Sequence, residues 1–560
     1  MENKEISKVL KLLSQLMELH EENPFKIRSI ANASFKVDKL PYKLKDKSLA
    51  ELETIDGVGK STASKIWELL QNGNIEELNN LAALTPAGVL DMLGIKGVGP
   101  KKIAIIWKTL GIENIGELYY ACNENRLIEA KGFGLKTQED IKKAIEFKMA
   151  SKGRFLYASI ESVAYSYLNS LKKIADKVDP TCLIEITGEF RRKCEIIDKL
   201  EFLIAGTDIL QIKNVIEGSL SGELNTTENS ISLKDENGIN IQIHFCNKEK
   251  FAYTLFETTG AEKHVQEVLQ LLTNKDFDSE STLYQSAGLD FIEPELREGD
   301  KEIGWSKNHE LPNLITFADL KGTLHNHSTW SDGVHTLEEM ALYCKDELKL
   351  EYLGICDHSK TAVYANGLSI ERVLQQQAEI DLLNEKLAPF RIFKGIESDI
   401  LSEGSLDYPN EILEKFDFVV ASVHSNLKMD EEKATDRIIK AIENPYTTIL
   451  GHPTGRLLLS RGGYPIDYKK IIDACAANNV VIEINANPLR LDLDWRWHQY
   501  ALERGVLLSI NPDAHRNEGF SDMHYGVYVA RKGALTKEKC LNAFDLNHIS
   551  SFFQAQKRKR

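Results

Sequence analysis

From Lys321 to the end of the chain, short apolar runs alternate with helical segments, and nearly every apolar run ends in a histidine or a carboxylate. The runs are EYLGICDHS, FRIFKGIESD, FDFVVASVHS, TTILGHPTG, VVIEINANP and VLLSINPDAH. Alternating buried strands and helices predict a parallel sheet, here most simply closed into a barrel. In such barrels functional side chains lie at the carboxyl ends of the strands. This pattern therefore predicts an α/β barrel with one polar site at its strand ends.

The polar residues at these strand ends are metal-ligand types. Ten of the fourteen histidines lie at or after His325, and the HNH segment places His325 and His327 on one side of an extended chain. One buried histidine is usually structural, but repetition at six strand ends favours ligands. Imidazole with carboxylate suits zinc, manganese or iron, and so many ligands imply more than one ion, an arrangement suited to phosphoester hydrolysis. The other candidates are Asp332, Asp357, His358, Glu397, His424, His452, Asp513 and His515.

The rest of the chain divides into three stretches. Residues 1–150 predict short helices separated by glycine turns, of which three resemble one another: IDGVGKSTASKI (55–66), IKGVGPKKIAII (95–106) and KGFGLKTQEDI (131–141). Residues 155–290 mix strand-like runs such as KLEFLIAGT with helical segments, which indicates an α+β region. Residues 291–320 are polar and contain two prolines and two glycines, which predicts a linker that packs on a neighbour.

Size and composition limit the class of protein. A chain of 560 residues requires several domains. No apolar run is long enough for a transmembrane helix, and the N-terminal residues do not resemble a signal peptide, so we expect no membrane association. The eight cysteines lack CxxC spacing, which indicates the reducing cytoplasm. We also expect a monomer. The net charge of -15 argues against a largely DNA-covered surface but permits local contacts. The tail QKRKR is either a solvated terminus or one such contact.

The C-terminal motifs also resemble a known family. LHNHSTWSDG, CDHS, GIESD, SVHS, GHPTGR and NPDAH are similar, in order and spacing over 321–540, to the polymerase and histidinol phosphatase (PHP) domain. That resemblance implies a distorted barrel of seven βα units holding three divalent metals, Zn²⁺ or Mn²⁺ with Fe²⁺ as an alternative. It assigns one metal to the catalytic set His325, His327, Glu397 and Asp513, a second to Glu397, His424 and His452, and the third to Asp332, His358 and His515.

Four further residues of the barrel are candidates for supporting roles. Asp357 and Glu483 are expected to hold or orient the ligands rather than to bind metal. Arg456 and Lys360 lie near strand ends, and each is either a phosphate contact or an ordinary surface cation.

The first two glycine turns resemble helix-hairpin-helix motifs, in which glycines let backbone N–H groups approach a DNA phosphate at a helix N-terminus. A single such turn is more often a helix C-cap, but the repetition favours DNA. Contacts of this kind bind phosphate and not bases, so we expect sequence-independent binding of gapped, nicked or 3′-ended DNA. The candidate contacts are Gly57, Gly59, Lys60, Gly97, Gly99, Lys101 and Lys102.

The whole front end, with NPFKIRSIANA before the turns, is similar to family-X DNA polymerases, whose bacterial members carry a C-terminal PHP domain. The resemblance implies an 8-kDa-like helical domain (1–85), a fingers-like helix-hairpin-helix domain (86–152), an α+β nucleotidyltransferase-like palm and thumb (153–292), a linker (293–320) and the PHP domain (321–560). Lys65 occupies the position of the 5′-deoxyribose-phosphate lyase lysine of some members. The alternative is a solvated helix lysine.

The palm segment GEFRRKCEIIDKLEFLIA (188–205) departs from the family pattern. The serine that contacts the triphosphate is replaced by Glu189, the two metal-binding aspartates by Lys199 and Glu201, and the third aspartate by Gln242. A protonated lysine repels magnesium, and one glutamate cannot hold two ions. Asp198 points to the opposite face of a strand, and TGAEKH (259–264) is a loose copy of the thumb motif. We therefore expect a degenerate palm that binds no Mg²⁺.

These patterns together favour a DNA repair enzyme with a metal-dependent 3′→5′ exonuclease in the barrel, with or without apurinic endonuclease or 3′-phosphatase activity. Three alternatives remain at this point. The first is an active polymerase with atypical palm ligands, and the second is a small-molecule phosphatase like histidinol phosphatase. The third is a DNA-end-binding protein without catalysis.

Overall fold

The computed structural model describes residues 1–40, 42–95, 97–128, 130, 132–150 and 153–558, with the backbone alone for 147–150. The chain forms two compact units, Met1–Glu146 and Phe147–Arg560. In the described residues no helix is both long and apolar enough to cross a membrane.

The first unit is all helical, and its glycine turns begin three of the helices. Gly57, Gly97 and Gly132 have positive φ angles of 81°, 86° and 91°, a backbone conformation that favours glycine. Two residues later Gly59 and Gly99 form the N-caps of their helices. The helices are α1 (Asn3–Leu19), α2 (Pro24–Asp38), α3 (Leu49–Glu53), α4 (Lys60–Asn72), α5 (Glu76–Ala83), α6 (Ala87–Met92), α7 (Pro100–Ala104), α8 (Ile115–Asn123) and α9 (Leu135–Ala150), which ends in the second unit.

The second unit begins with an α+β region around a five-stranded sheet of order β2-β4-β7-β6-β5, in which β4 pairs parallel to β7 and antiparallel to β2. Every residue of the inner strand β4 is buried, as its mostly apolar sequence requires. The elements are β1 (Phe155–Leu156), α10 (Tyr157–Ala175), β2 (Leu183–Thr187), α11 (Gly188–Arg191), β3 (Ile196–Ile197), β4 (Leu200–Gly206), α12 (Ile209–Ser219), β5 (Leu224–Thr226), β6 (Ser230–Lys234), β7 (Asn240–Asn247), α13 (Phe251–Thr259), α14 (Glu262–Leu269) and α15 (Glu280–Ser286).

Residues 293–320, for which the sequence predicts a linker, are folded onto the preceding region. They contain α16 (Glu302–Lys307) and two short 3₁₀ turns. Arg297 is fully buried and forms an ion pair with Glu280, and Glu302 accepts a 2.7 Å hydrogen bond from His264. Buried, paired charges of this kind hold the segment against the helices α14 and α15.

The remaining residues form parallel strands with intervening helices. The strands pair in the orders β10-β9-β8 and β11-β12-β13-β14-β15, all parallel. The elements are β8 (Gly322–Thr323), α17 (Leu337–Leu342), β9 (Tyr352–Ile355), α18 (Ile370–Leu387), β10 (Arg391–Lys394), β11 (Glu397–Asp399), α19 (Asn410–Leu413), β12 (Val420–Ser422), α20 (Glu431–Ile442), β13 (Ile449–Leu450), α21 (Tyr468–Asn478), β14 (Val481–Asn485), α22 (His498–Glu503), β15 (Leu508–Asn511), α23 (Met523–Lys532) and α24 (Leu546–Lys557).

Single bridges join the two parallel sheets at both edges. Asn326 pairs with Ala514, which links the end of β8 to the end of β15, and His358 pairs with Glu397, which links β9 to β11. Only Gly395 and Ile396 separate β10 from β11, so the two act as one bent strand. Seven parallel strands therefore surround a common interior, and all their carboxyl ends meet on one side.

Candidate metal centre

All nine predicted ligands meet at the carboxyl ends of the barrel strands. Two follow β8, one lies in the turn after them, and the others follow or begin β9, β11, β12, β13 and β15. The side chains are buried or nearly buried, and the most exposed, His424, retains a tenth of its accessible surface. The nine are His325, His327, Asp332, His358, Glu397, His424, His452, Asp513 and His515. The fold thus brings together residues that are almost 200 positions apart in sequence.

The carboxylate of Glu397 lies at the centre of this cluster. Its Oε1 atom is 3.0 Å from an imidazole nitrogen of His452, and its Oε2 atom is 3.0 Å from one of His358. Three further imidazoles approach the same two oxygens within 3.6 Å, those of His325, His327 and His424. A carboxylate shared in this way between separate groups of imidazoles has the geometry of a bridging ligand.

Two aspartates organise the other side of the cluster. Asp332 Oδ2 lies 3.6 Å from His358 Nε2 and 3.5 Å from His515 Nε2. Asp513 Oδ1 lies 3.0 Å from His327 Nε2. The side chains form three groups with ligand atoms close enough to share an ion: His327, Asp332, His358 and His515; His325, His327 and Asp513; and His358, Glu397 and His424. These groups overlap the grouping that the PHP resemblance implies. His358 falls in one group with Glu397 and His424, while His452, which also contacts Glu397 Oε1 at 3.0 Å, falls in none of the three.

Several buried atoms of the cluster make no hydrogen bond of normal geometry within the described part of the chain. They include Asp332 Oδ2, Glu397 Oε2, His325 Nε2 and His358 Nδ1. Burying such atoms without a partner is costly, and metal coordination satisfies them. The donor set of neutral nitrogens and anionic oxygens therefore fits transition-metal ions.

The pKa values of the imidazoles differ within the cluster. Burial and the neighbouring imidazoles of His515 and His358 lower the pKa of His327 to about 3, so it is neutral at physiological pH. Burial would raise the pKa of Glu397, but His424 and other imidazoles outweigh it and hold that pKa well below its ordinary range. Burial would lower the pKa of His424, yet Glu397 and Asp399 raise it to about 9. A metal must therefore displace a proton from His424.

Glu483 holds two of the ligands in place. Its Oε1 atom accepts a 2.7 Å hydrogen bond from His325 Nδ1, and its Oε2 atom accepts one of 2.8 Å from the backbone N–H of His452. The carboxylate is fully buried, and Asn511 donates a further hydrogen bond to Oε1 at 3.0 Å. A hydrogen bond on Nδ1 fixes the tautomer of His325, so that Nε2 faces the cluster.

Asp399 and Asp357 support the ligands from other strands. Asp399 Oδ1 lies 2.6 Å from His424 Nδ1, a contact that sequence reasoning missed. The signal was present in GIESD, where Asp399 follows Glu397 by two positions and so shares its side of the strand. Asp357 accepts hydrogen bonds from Ser328 and Ser331, and burial raises its pKa to about 6.

The two predicted phosphate contacts have different environments. Arg456 does not fit the predicted role of a phosphate contact. Its side chain is only 11% exposed, and its Nη1 atom donates a 2.6 Å hydrogen bond to Asp494. It also donates to the backbone oxygens of Arg490 and Leu491, so the guanidinium is occupied by the protein itself. Lys360 is exposed on the loop after His358, with Nζ 5.9 Å from the ring of Tyr408, and remains a prediction.

The helix-hairpin-helix turns are open at their second glycine. Gly59 and Gly99 have φ angles of -76° and -82°, which any residue adopts, and a Cβ atom added to either would meet nothing within 4 Å. The protein's own packing thus does not require glycine at these positions. A ligand that approaches the backbone closely would require it, because a side chain would be in the way. Lys60 and Lys101 are exposed beside the turns, and Lys102 is half-buried near the ring of Phe133.

Comparison with known proteins agrees with these features. Residues 1–75 match the model of a helix-hairpin-helix domain, and residues 89–146 match a SAM-like helix-hairpin-helix tandem. The chain is 34% identical over 585 aligned residues to the DNA polymerase/3′-5′ exonuclease PolX of Bacillus subtilis, which covers 99% of this chain and 100% of that protein. The chain belongs to the PolX family.

Part of the chain is also similar to proteins named as probable phosphatases. One from Thermoanaerobacter is 32% identical over 190 residues, which cover 32% of this chain and 75% of the relative. Another from Caldanaerobacter subterraneus is 37% identical over 193 residues, which cover 32% of this chain and 72% of the relative.

Lys65, the lysine at the predicted lyase position, is neither free nor solvated. Lys65 forms an ion pair with Glu77, and only 14% of its side chain is exposed. Glu77 also pairs with Lys26 at 2.5 Å. A Schiff-base amine must be free to attack an aldehyde carbon, whereas the carboxylate of Glu77 holds Lys65 in an ion pair in this arrangement.

In the palm, a lysine of the chain pairs with the carboxylate at one predicted metal position. Lys199 Nζ lies 2.8 Å from Glu201 Oε1, and His244 Nε2 lies 3.3 Å from the same oxygen. Burial would raise the pKa of Glu201, but His244 and Lys199 outweigh it and lower the pKa. Gln242 lies beside Glu201 on the neighbouring strand. Glu189 accepts a 2.8 Å hydrogen bond from the backbone N–H of Asp198, so its carboxylate occupies the turn.

The two palm arginines are bound by carboxylates of the chain. Arg191 forms a bidentate pair with Glu280, with distances of 3.0 and 2.6 Å. Arg192 Nε lies 3.0 Å from Glu298 Oε1, and both side chains are less than a fifth exposed. Neither guanidinium is therefore free to bind a triphosphate in this arrangement.

Proposed function

We propose that this PolX protein is a metal-dependent 3′→5′ exonuclease whose catalytic centre is the barrel, and that its palm has lost polymerase activity. The observation that carries the proposal is the convergence of nine imidazole and carboxylate side chains around Glu397. The Bacillus subtilis relative is named for both activities. The intact ligand set in the barrel and the lysine in the palm favour the exonuclease alone.

In this proposal the cluster binds three divalent ions, Zn²⁺ or Mn²⁺ with Fe²⁺ as an alternative. His325, His327, Glu397 and Asp513 form the catalytic group. Ions held there lower the pKa of a bound water and neutralise charge on a phosphodiester. The protein's own contribution is preorganisation, because Glu483 and Asp399 orient His325 and His424 while burial keeps the carboxylates poorly hydrated.

DNA is the proposed substrate because the first unit contains the open helix-hairpin-helix turns. Their backbone N–H groups, with Lys60 and Lys101 nearby, suit phosphates of gapped, nicked or 3′-ended DNA without regard to sequence. A repair role in the cytoplasm, as a monomer, fits this substrate and the eight free cysteines. The relatives named as probable phosphatases favour a second activity of the same centre, the removal of a 3′-phosphate.

The test is digestion of 5′-labelled DNA with recessed, nicked or 3′-phosphorylated ends in the presence of Mn²⁺. We expect a ladder of products shortened from the 3′ end with the wild-type protein. The variant with His325→Ala and His327→Ala should be slower by at least about 100-fold, because two ligands of the catalytic group are lost.

His548→Ala is the matched control, since His548 lies in the same domain but is 78% exposed and remote from the cluster. It should digest DNA as the wild type does. Equal digestion by the double variant and the wild type would refute the barrel as the catalytic centre. Rapid hydrolysis of small phosphomonoesters with intact DNA would instead identify a small-molecule phosphatase.

A further inference from the structure

The palm segment that follows Arg191 is packed against the barrel. Lys532 of α23 donates a 3.2 Å hydrogen bond to the backbone oxygen of Arg192 and forms an ion pair with Glu298. Lys193 Nζ lies 4.3 Å from the ring centroid of Tyr528, also on α23. The residues next to the degenerate nucleotide motif are thus a docking surface for the barrel.

Glu195 is a buried carboxylate of this interface. Its side chain is 10% exposed, and its Oε1 atom lies 3.8 Å from Arg456 Nη2 and 3.9 Å from Arg496 Nη1. Asp494 pairs with both arginines at 2.6 and 2.9 Å. Two carboxylates and two guanidinium groups therefore form a neutral cluster, in which Glu195 is the only member from the palm.

Arg456 connects this cluster to the metal centre. It lies four residues after His452, and the intervening turn is closed by a 3.0 Å hydrogen bond from the Gly455 N–H to the His452 oxygen. Thr454 donates from its backbone and its hydroxyl to Asp492, both at 2.9 Å. His452 Nε2 lies 3.0 Å from Glu397 Oε1. A displacement of Arg456 would therefore be transmitted through a short, hydrogen-bonded turn to a predicted metal ligand.

We propose that Glu195 is a positioning residue for the barrel metal centre: it holds Arg456 in the orientation that places His452 against Glu397. In this arrangement the palm supports the barrel through the segment that follows Arg191. This inference rests on the proposed function of the barrel. Its physical basis is that removal of Glu195 leaves the buried guanidinium of Arg456 and the exposed one of Arg496 with a single carboxylate, that of Asp494, an imbalance that favours movement of Arg456.

The test uses full-length Glu195→Ala, Glu195→Gln and Arg456→Lys loaded with Mn²⁺. For Glu195→Ala we expect kcat on 3′-ended DNA to fall about tenfold with KM unchanged, a typical effect of losing support behind a ligand. We also expect about one equivalent of Mn²⁺ to dissociate faster than from wild type during passage through a chelating column, measured by atomic emission.

The other variants separate positioning from general stability. Glu195→Gln keeps the shape of the side chain but removes its charge, so it should behave like Glu195→Ala, because the charge of Glu195 is what balances Arg456. Arg456→Lys keeps the charge but loses the hydrogen bonds to the oxygens of Arg490 and Leu491, so it should behave like Glu195→Ala. Asp198→Ala is the control, because the ion pair of Asp198 with Arg154 is on the palm and more than half exposed.

Two results would overturn the inference. One is wild-type kcat and wild-type Mn²⁺ retention in Glu195→Ala. The other is loss of activity in Glu195→Ala and Glu195→Gln alike with no change in Mn²⁺ retention, which would indicate a general structural role. If the wild type does not digest DNA, the proposed function fails, whereas the Mn²⁺ measurement still decides the role of Glu195.

Discussion

Lys199 and Glu201 form an ion pair of 2.8 Å at the start of the palm strand β4, at the positions where the resemblance to family-X polymerases expects two metal-binding aspartates. The side chain of Glu201 is 9% exposed, whereas that of Lys199 is 49% exposed, so the ammonium covers the carboxylate from the solvent side. The carboxylate of Glu201 is thus paired with a cation of the chain itself. A fixed ammonium neutralises the carboxylate but has no vacant coordination position for a triphosphate or a 3′-oxygen.

The first prediction concerns primer extension. With a gapped template, four nucleotides and Mg²⁺ or Mn²⁺, we expect no extended product from the wild type. Lys199→Ala should not extend the primer either, because Glu201 alone cannot hold two ions. To keep digestion from hiding extension, the assay should use the background of His325→Ala and His327→Ala. Templated addition of several nucleotides would contradict the loss of polymerase activity.

The second prediction concerns Glu483. Glu483→Gln retains the shape but presents an amide in place of a carboxylate to His325 Nδ1 and the His452 N–H. We expect metal affinity or exonuclease kcat to fall by about 10–100-fold, the usual cost of losing such support. Glu338→Gln is the control, because Glu338 is 42% exposed and pairs with Lys386 away from the site. Isothermal titration with Mn²⁺ measures the metal affinity. Equal affinity in the wild type, Glu483→Gln and Glu338→Gln would exclude a supporting role for Glu483.

The third prediction concerns the first glycine turn. Gly59→Ala should weaken DNA binding about tenfold, since a hydrogen bond to a charged group contributes about 1.5–3 kcal/mol and the new methyl group would keep a phosphate away. Its stability should be unchanged or slightly higher, because the backbone accepts alanine. Gly73→Ala should lower the stability and leave DNA binding unchanged, since φ is 74° at this helix end. Fluorescence anisotropy and thermal unfolding measure both effects, and an unchanged affinity for Gly59→Ala would argue against contact at this turn.

The fourth prediction concerns pH and stability. Burial lowers the pKa of His498 to about 4, while the unfolded value is about 6.5. Between these values the unfolded chain binds a proton that the folded protein does not, so the free energy of unfolding decreases as the pH falls from about 6.5 to 4. The contribution, fully present above pH 6.5, is on the order of 3 kcal/mol.

Urea unfolding between pH 4 and 7, followed by tryptophan fluorescence, tests this contribution. His498→Gln should show a shallower dependence on pH than the wild type. His548→Gln, which changes a histidine that is 78% exposed, should retain the wild-type slope. Identical slopes in all three proteins would show that His498 is protonated equally in the folded and unfolded chain.

The sequence predicted the barrel and its ligands because both depend on local pattern. Parallel strands are short apolar runs, and residues that end such runs, like His358 and His452, share one edge whatever the exact packing. The support from Glu483 was expected from the same pattern, whereas that from Asp399 was missed although its spacing from Glu397 indicated it. The glycine turns were recognisable for a similar reason, since positive φ at Gly57 and Gly97 is a property of the local chain.

Only the tertiary structure decided which charged groups are available to a substrate. Arg456 is near a strand end in sequence, yet Asp494 and backbone oxygens occupy it, and Lys65 is on a helix surface in sequence, yet Glu77 pairs with it. The partners in these contacts are set by distant segments that sequence spacing does not reveal. The sequence by itself thus determined the set of candidate metal ligands and the residues at the predicted palm positions, because those are matters of residue type. The fold decided that the palm contacts the barrel through Glu195 and Arg456, because the position of a buried charge depends on every segment packed around it.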